Sequence, residues 1–135
     1  MSEKKKRPVP IPTVTTGPFW DGIKAGKLLL QYDREVDAWQ FYPRPGSLKT
    51  GKRNLEWREA AGTGAVYSFT ETYVPTAGFE DRTPYLLAMI DLDEGVRILG
   101  NLFDVTAADV FIGMPVQIAF EKISEDAEYF CFEPA

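Results

Sequence analysis

Between Ala38 and Leu55 every charged side chain is basic: Arg44, Lys49, Lys52 and Arg53, in and around the stretch PRPGSLKTGKRN. Four cations on one Pro/Gly-rich loop can match a phosphorylated ligand, because guanidinium and ammonium groups form charge-assisted bonds to phosphate oxygens. A solvated loop or an electrostatic patch facing a protein partner reads the same residues equally well. Just upstream, Asp33, Glu35 and Asp37 alternate. An extended chain would point all three carboxylates one way, where they could hold a hard cation. No glycine-punctuated calcium loop surrounds them, and a solvated hairpin tip accounts for them too.

Other chemistry is excluded by residue type. Histidine is absent and Cys131 is the single cysteine. Together these remove the usual proton shuttle near neutral pH, the commonest neutral metal ligand, any Ser-His or Cys-His nucleophile pair, and any internal disulfide. A reactive thiolate at Cys131 needs a positive neighbour, whereas Glu128 and Glu133 flank it in EYFCFEP, so the residue reads as structural. No catalytic residue is assigned, and the balance shifts toward binding.

Charge bears on the partner. Net charge is −5, but Lys4, Lys5, Lys6 and Arg7 sit in one N-terminal run beside Glu3; without these five, eleven basic and nineteen acidic residues leave the body at −8. Such a body repels a nucleic-acid backbone unless its cations share one face. No apolar run is long enough to span a bilayer or to serve as a signal peptide, which predicts a cytoplasmic protein without membrane contact.

The elements that must position these residues follow from pattern. Residues 1–15, with Pro8, Pro10 and Pro12, read as a basic, extended tail. Thr15 and Thr16 can cap a short helix through GPFWDGIKAGK, with Pro18 in its first turn and Gly26 at its stop. Phe19, Trp20 and Ile23 share one face of it. KLLLQY and AWQFYP form a hairpin in which Trp39 and Phe41 share a face, and LEWREA resumes an extended run. Five further strands follow: GAVYSFTETYV, PYLLAMIDLD, VRILGNLFDV, PVQIAFEKIS and EYFCFEP. TAADVFIG is a short turn or helix before the fourth of them, and Asp93-Glu94-Gly95 is a hairpin turn. Five strands so broken suit a Greek-key barrel of OB type. Tyr67, Phe69 and Tyr73 alternate like a stacking platform for single-stranded nucleic acid, although alternation in a barrel usually marks the inward face. Phe19 and Trp20 could anchor a partner or close the barrel, and the loop Pro75–Thr83, with Phe79 and Arg82, is a second candidate contact surface.

Over PFWDGIKAGKLLLQ, WQFYPRP, LEWREAAGTGAVYSFT, PYLLAMIDLDEGVRILGNLFDV and IGMPVQIAFE, the chain resembles the acyl-CoA-associated OB-fold proteins with an N-terminal helix and a rubredoxin-like zinc ribbon. The resemblance implies a mainly β fold: tail 1–15, helix and ribbon module 16–60, and barrel 61–135. It also implies a non-catalytic accessory subunit, bound to a thiolase-like, enoyl-CoA hydratase or aldolase partner and contributing to acyl-CoA binding. On that reading Arg44, Lys49, Lys52 and Arg53 meet CoA phosphates or the partner. The family's four zinc cysteines fall at Asp33, Val36, Ser47 and Thr50 in this sequence. One carboxylate, a valine and two hydroxyls are not a structural zinc set, so the expectation is a degenerate, metal-free ribbon with no cofactor. Packing of Trp39, Phe41 and Leu55 would then replace the energy of the metal. The alternative is a single-stranded nucleic-acid-binding OB module.

Overall fold

The computed structural model describes residues 8–76, 78–125 and 127–135, so the basic run Lys4–Arg7 lies outside the described residues. Helix α1 spans Gly17–Lys24, and strands β1 (Leu29–Asp33), β2 (Ala38–Gln40) and β3 (Glu56–Glu59) follow. Pro18 stands in the first turn, where its missing N–H is no loss. The helix stops in a Schellman arrangement: Lys27 N–H donates to Gly22 O at 2.8 Å and Gly26 N–H to Ile23 O at 3.0 Å. Gly26 sits at φ 73°, a conformation that favours a residue without Cβ. The expected N-cap is not made, because the Thr16 side chain turns back to accept from Thr13 N–H at 2.8 Å.

The ribbon is larger than the hairpin read from sequence. β3 adds to the open edge of β1, giving a three-stranded antiparallel sheet in the order β2-β1-β3. The carboxylates of the first turn diverge. Asp33 is buried, Glu35 pairs with Lys52, and Asp37, at φ 50°, accepts from the Tyr32 hydroxyl. The three therefore form no common cation site. Among the described residues, no three His, Cys, Asp or Glu side chains gather as metal ligands.

Strands β4 (Thr63–Thr72), β5 (Tyr85–Leu92), β6 (Arg97–Leu102), β7 (Pro115–Ser124) and β8 (Ala127–Pro134) close into a barrel ordered β4-β5-β6-β8-β7. The β6–β8 pair is parallel and the others antiparallel, the connectivity of a Greek-key OB barrel. Period-two burial is cleanest in β5, where Leu86, Ala88, Ile90 and Leu92 all face inward. Residues 106–113 form turns only.

Phe19 and Ile23 of α1 and Leu28 and Leu30 of the ribbon join Val66, Ile90, Ile98, Val116 and Phe132 of the barrel in one hydrophobic core. Phe19 meets Phe130 and Phe41 at centroid distances of 5.9 and 5.6 Å. Each such buried side chain contributes about 1.5–3 kcal/mol. The aromatic alternation on β4 does not mark the inward face. Register breaks between Val66 and Ser68, and Tyr67, Phe69 and Tyr73 are exposed; Arg97 lies 3.5 Å over the Tyr67 ring. Val66 is buried and pairs with buried Ile90, so at that point the inward phase of β4 runs through Val66 and its neighbour Tyr67 faces out.

Candidate functional site

The basic loop is clamped from beneath by buried polar side chains. In β1 the residues Leu30 to Asp33 are all buried, so both faces of the strand are covered. Gln31 pairs in register with Gln40 of β2, and the two buried amides meet through Gln40 Nε2 and Gln31 Oε1 at 3.2 Å. The same two side chains also hold the loop backbone. Arg44 N–H donates to Gln31 Oε1 at 2.8 Å, and Gln31 Nε2 donates to Arg44 O at 2.7 Å. Gln40 Nε2 donates to Gly46 O at 3.2 Å, and Leu48 N–H donates to Gln40 Oε1 at 2.9 Å. Buried amides satisfied in this way rigidify what they bind.

Asp33, only 1% exposed, holds the rest of the loop. Its Oδ2 accepts from Ser47 Oγ at 2.5 Å and Thr50 Oγ1 at 3.2 Å. Its Oδ1 accepts from Glu35 N–H at 3.0 Å and Asn54 Nδ2 at 3.2 Å. Donation from Ser47, and then from the Glu35 amide, Thr50 and Asn54, holds this carboxyl below the ordinary carboxylate value against the opposing effect of burial. Ser47 Oγ in turn accepts from Lys49 and Thr50 N–H, and Gly51 N–H donates to Ser47 O at 2.9 Å. Three of the four positions matched to zinc cysteines thus converge, while Val36 is 45% exposed and offers no donor atom. A lone carboxylate with both oxygens already hydrogen-bonded, two hydroxyls and a valine do not fit tetrahedral zinc.

The structure divides the four cations. Lys52 Nζ lies 2.9 and 3.0 Å from the two Glu35 oxygens, which raises the Lys52 pKa. Arg44, Lys49 and Arg53 are exposed and make no ion pair among the described residues. Trp39 and Phe41 pack on the core from the ribbon side, and Leu55 is half-buried.

The other candidates lie elsewhere. Phe19 is 2% exposed, so its place in the core removes it as a partner contact; Trp20 is half-buried against Tyr129, with centroids 5.6 Å apart. Phe79 packs on Tyr85 at 5.2 Å, and Arg82 holds Glu121 at 2.6 Å above the Phe103 ring. Arg82, Phe103, Phe120 and Cys131 line an open groove of about 420 Å³. Cys131 is buried and donates to Ala119 O at 3.7 Å. Gln31, Gln40 and Asn54 are not identified from sequence alone. The available signal is two glutamines inside apolar runs, LLLQY and AWQF, where a strand side chain would be covered.

The fold is thus a closed OB-type barrel joined to a three-stranded ribbon whose basic loop is clamped by buried polar side chains. Residues 57–121 match the family model described as ChsH2, C-terminal OB-fold domain. A DUF35 domain-containing scaffold protein of Methanocaldococcus jannaschii is 39% identical over 111 residues, covering 81% of this chain and 79% of that protein. The 3-oxo-4,17-pregnadiene-20-carboxyl-CoA hydratase alpha subunit of Mycobacterium tuberculosis is 34% identical over 118 residues, 86% of this chain, but the match spans only 36% of that subunit. A solved chain of the Ltp2-ChsH2(DUF35) aldolase superposes with a TM-score of 0.85 at 26% identity, covering 93% of this chain and 98% of that one. The chain belongs to the acyl-CoA-associated OB-fold DUF35 family.

Proposed function

We propose that the chain is a non-catalytic accessory subunit of a cytoplasmic acyl-CoA-processing assembly. It docks on a thiolase-like, enoyl-CoA hydratase or aldolase partner and offers Arg44, Lys49 and Arg53 to the phosphates of bound CoA. The subunit role is supported by a relative named as a scaffold protein, by one named as a hydratase subunit, and by the likeness to a chain of an aldolase assembly. The observation that supports the loop's role is electrostatic. On a body of net charge −8, three cations without ion pairs among the described residues stand on a loop whose backbone is fixed by buried side chains. Such preorganisation lowers the entropy cost of gripping a polyanion.

The test has two parts. Affinity purification from the native cell should bring down an acyl-CoA enzyme in stoichiometric amount, and the chain alone should not turn over acyl-CoA. In the assembled complex, Arg44→Glu with Arg53→Glu should weaken CoA-ester binding by about tenfold or more, in line with about 1–4 kcal/mol for a near-surface charge pair. Turnover by the chain alone would overturn the non-catalytic role. Unchanged CoA-ester affinity would remove the loop from the binding site.

A further inference from the structure

We infer that the Asp33 carboxylate does for this ribbon what a metal ion does for a zinc ribbon: it ties the β1–β2 turn to the basic loop, through hydrogen bonds alone. A structural metal gathers ligands from two chain segments distant in sequence, and its binding energy is folding energy. Asp33 gathers the same two segments. Its contacts reach Glu35 in its own turn and Ser47, Thr50 and Asn54 across the loop, all from one buried carboxylate. Ser47, a second of the matched positions, links the carboxylate to the loop amides of Lys49 and Thr50.

The donors fill both carboxylate oxygens, which is what a buried charge without a directly bonded cation requires. Nearby charge is arranged around the knot and outside it: Glu35 is occupied by Lys52 and Asn54, and Arg34 is paired with Glu56 at 3.0 Å. Asp33 is therefore a positioning residue for Lys49 and Arg53, while Gln31 holds Arg44, and this inference stands whatever the loop meets.

The experiment uses the full chain. Protein refolded with equimolar zinc and then gel-filtered should retain no stoichiometric metal by elemental analysis, and excess chelator should leave its melting temperature unchanged. Asp33→Asn replaces one acceptor oxygen with an NH₂ group facing donors, and should lower the melting temperature by several degrees. Where that variant does not fold, Ser47→Ala removes one donor and leaves the charge. In either variant, amide hydrogen exchange should accelerate across residues 44–54 more than across β5, a difference that uniform destabilisation does not produce. Stoichiometric zinc, a chelator-sensitive melting temperature, or exchange in the loop that is unchanged or rises only in step with β5 would each overturn the inference.

Discussion

Ser47 Oγ donates a 2.5 Å hydrogen bond to the Asp33 carboxylate across fourteen residues of chain, and that bond is buried. It joins the end of a strand to a loop rich in glycine, proline and positive charge, and with the Gln31–Gln40 pair it fixes the loop from two sides. The loop therefore holds its shape through side-chain acceptors under its backbone and owes little to regular structure of its own.

Acid should release this clamp. The Asp33 carboxyl is held below its ordinary value of 3.8, chiefly by Ser47. A depressed folded-state pKa adds stability that is present above the unfolded value and is lost as pH falls through the folded value. The melting temperature of the wild type should exceed that of Asp33→Asn at pH 7, and the gap should close below pH of about 4. A gap that stayed constant from neutral pH to pH of about 2.5 would show that ionisation of Asp33 plays no part.

Phe19 and Trp20 are neighbours on α1 with different duties. Phe19 is sealed between Phe41 and Phe130, whereas Trp20 covers the edge of the core beside Tyr129. Phe19→Ala should cost about 3–5 kcal/mol of unfolding free energy, as for other buried aromatic truncations. Trp20→Ala should cost clearly less. Chemical denaturation of both variants checks the order, and an equal or reversed ranking would contradict the burial described above.

Gly64 is fixed by its neighbours. A Cβ there would fall 2.3 Å from Asp91 O and 3.0 Å from Leu92 Cα, backbone atoms of the paired strand that cannot swing aside. Gly64→Ala should destabilise the barrel by about 1–3 kcal/mol, the usual range for overpacking. At Gly17 nothing lies within 4 Å of the corresponding position, so Gly17→Ala should be neutral or stabilise by up to about 1 kcal/mol. Thermal melts of the pair supply the comparison.

What was legible in the sequence follows from local physics. All five barrel strands, the helix and its stop at Gly26 are readable because period-two burial, apolar faces and turn glycines act over a few residues. The addition of β3 to β1 is not, since LEWREA gives no sign of which edge it joins. The bulge at Tyr67 is equally silent, and alternation alone does not say that the inward phase runs through Val66 and leaves Tyr67 exposed. The basic island and the positions of the absent cysteines were visible as residues. That Asp33, Ser47 and Thr50 meet, and that Gln31 and Gln40 support the loop, depends on contacts between residues nine to seventeen apart.

Exposed Tyr67, Phe69 and Tyr73 keep the nucleic-acid alternative testable. The cation stacked on Tyr67 is Arg97, which is paired with Asp91 at 2.6 Å, so the positive charge over that ring is already neutralised. Fluorescent single-stranded oligonucleotide titrated into the isolated protein at low salt should show no tight, salt-sensitive binding. Sub-micromolar affinity that weakens steeply with salt would favour the oligonucleotide reading over the acyl-CoA one.

Glu35 offers the sharpest test of the basic loop, because it predicts a gain. Its carboxylate neutralises Lys52 and accepts a weaker 3.4 Å contact from Asn54, while Arg44, Lys49 and Arg53 have no such counter-ion among the described residues. Glu35→Gln should keep a hydrogen-bond acceptor near Lys52 and Asn54 while removing the negative charge, so the fold is expected to persist. A polyanion approaching the loop would then meet four uncompensated cations and one repulsive charge fewer. At about 1 kcal/mol for an exposed charge contact, CoA-ester affinity of the assembled complex should rise about fivefold at low salt, and the gain should shrink as ionic strength increases. Isothermal titration at two salt concentrations reads both effects. An affinity that falls, or a gain indifferent to salt, would mean that the loop's charge does not face the ligand.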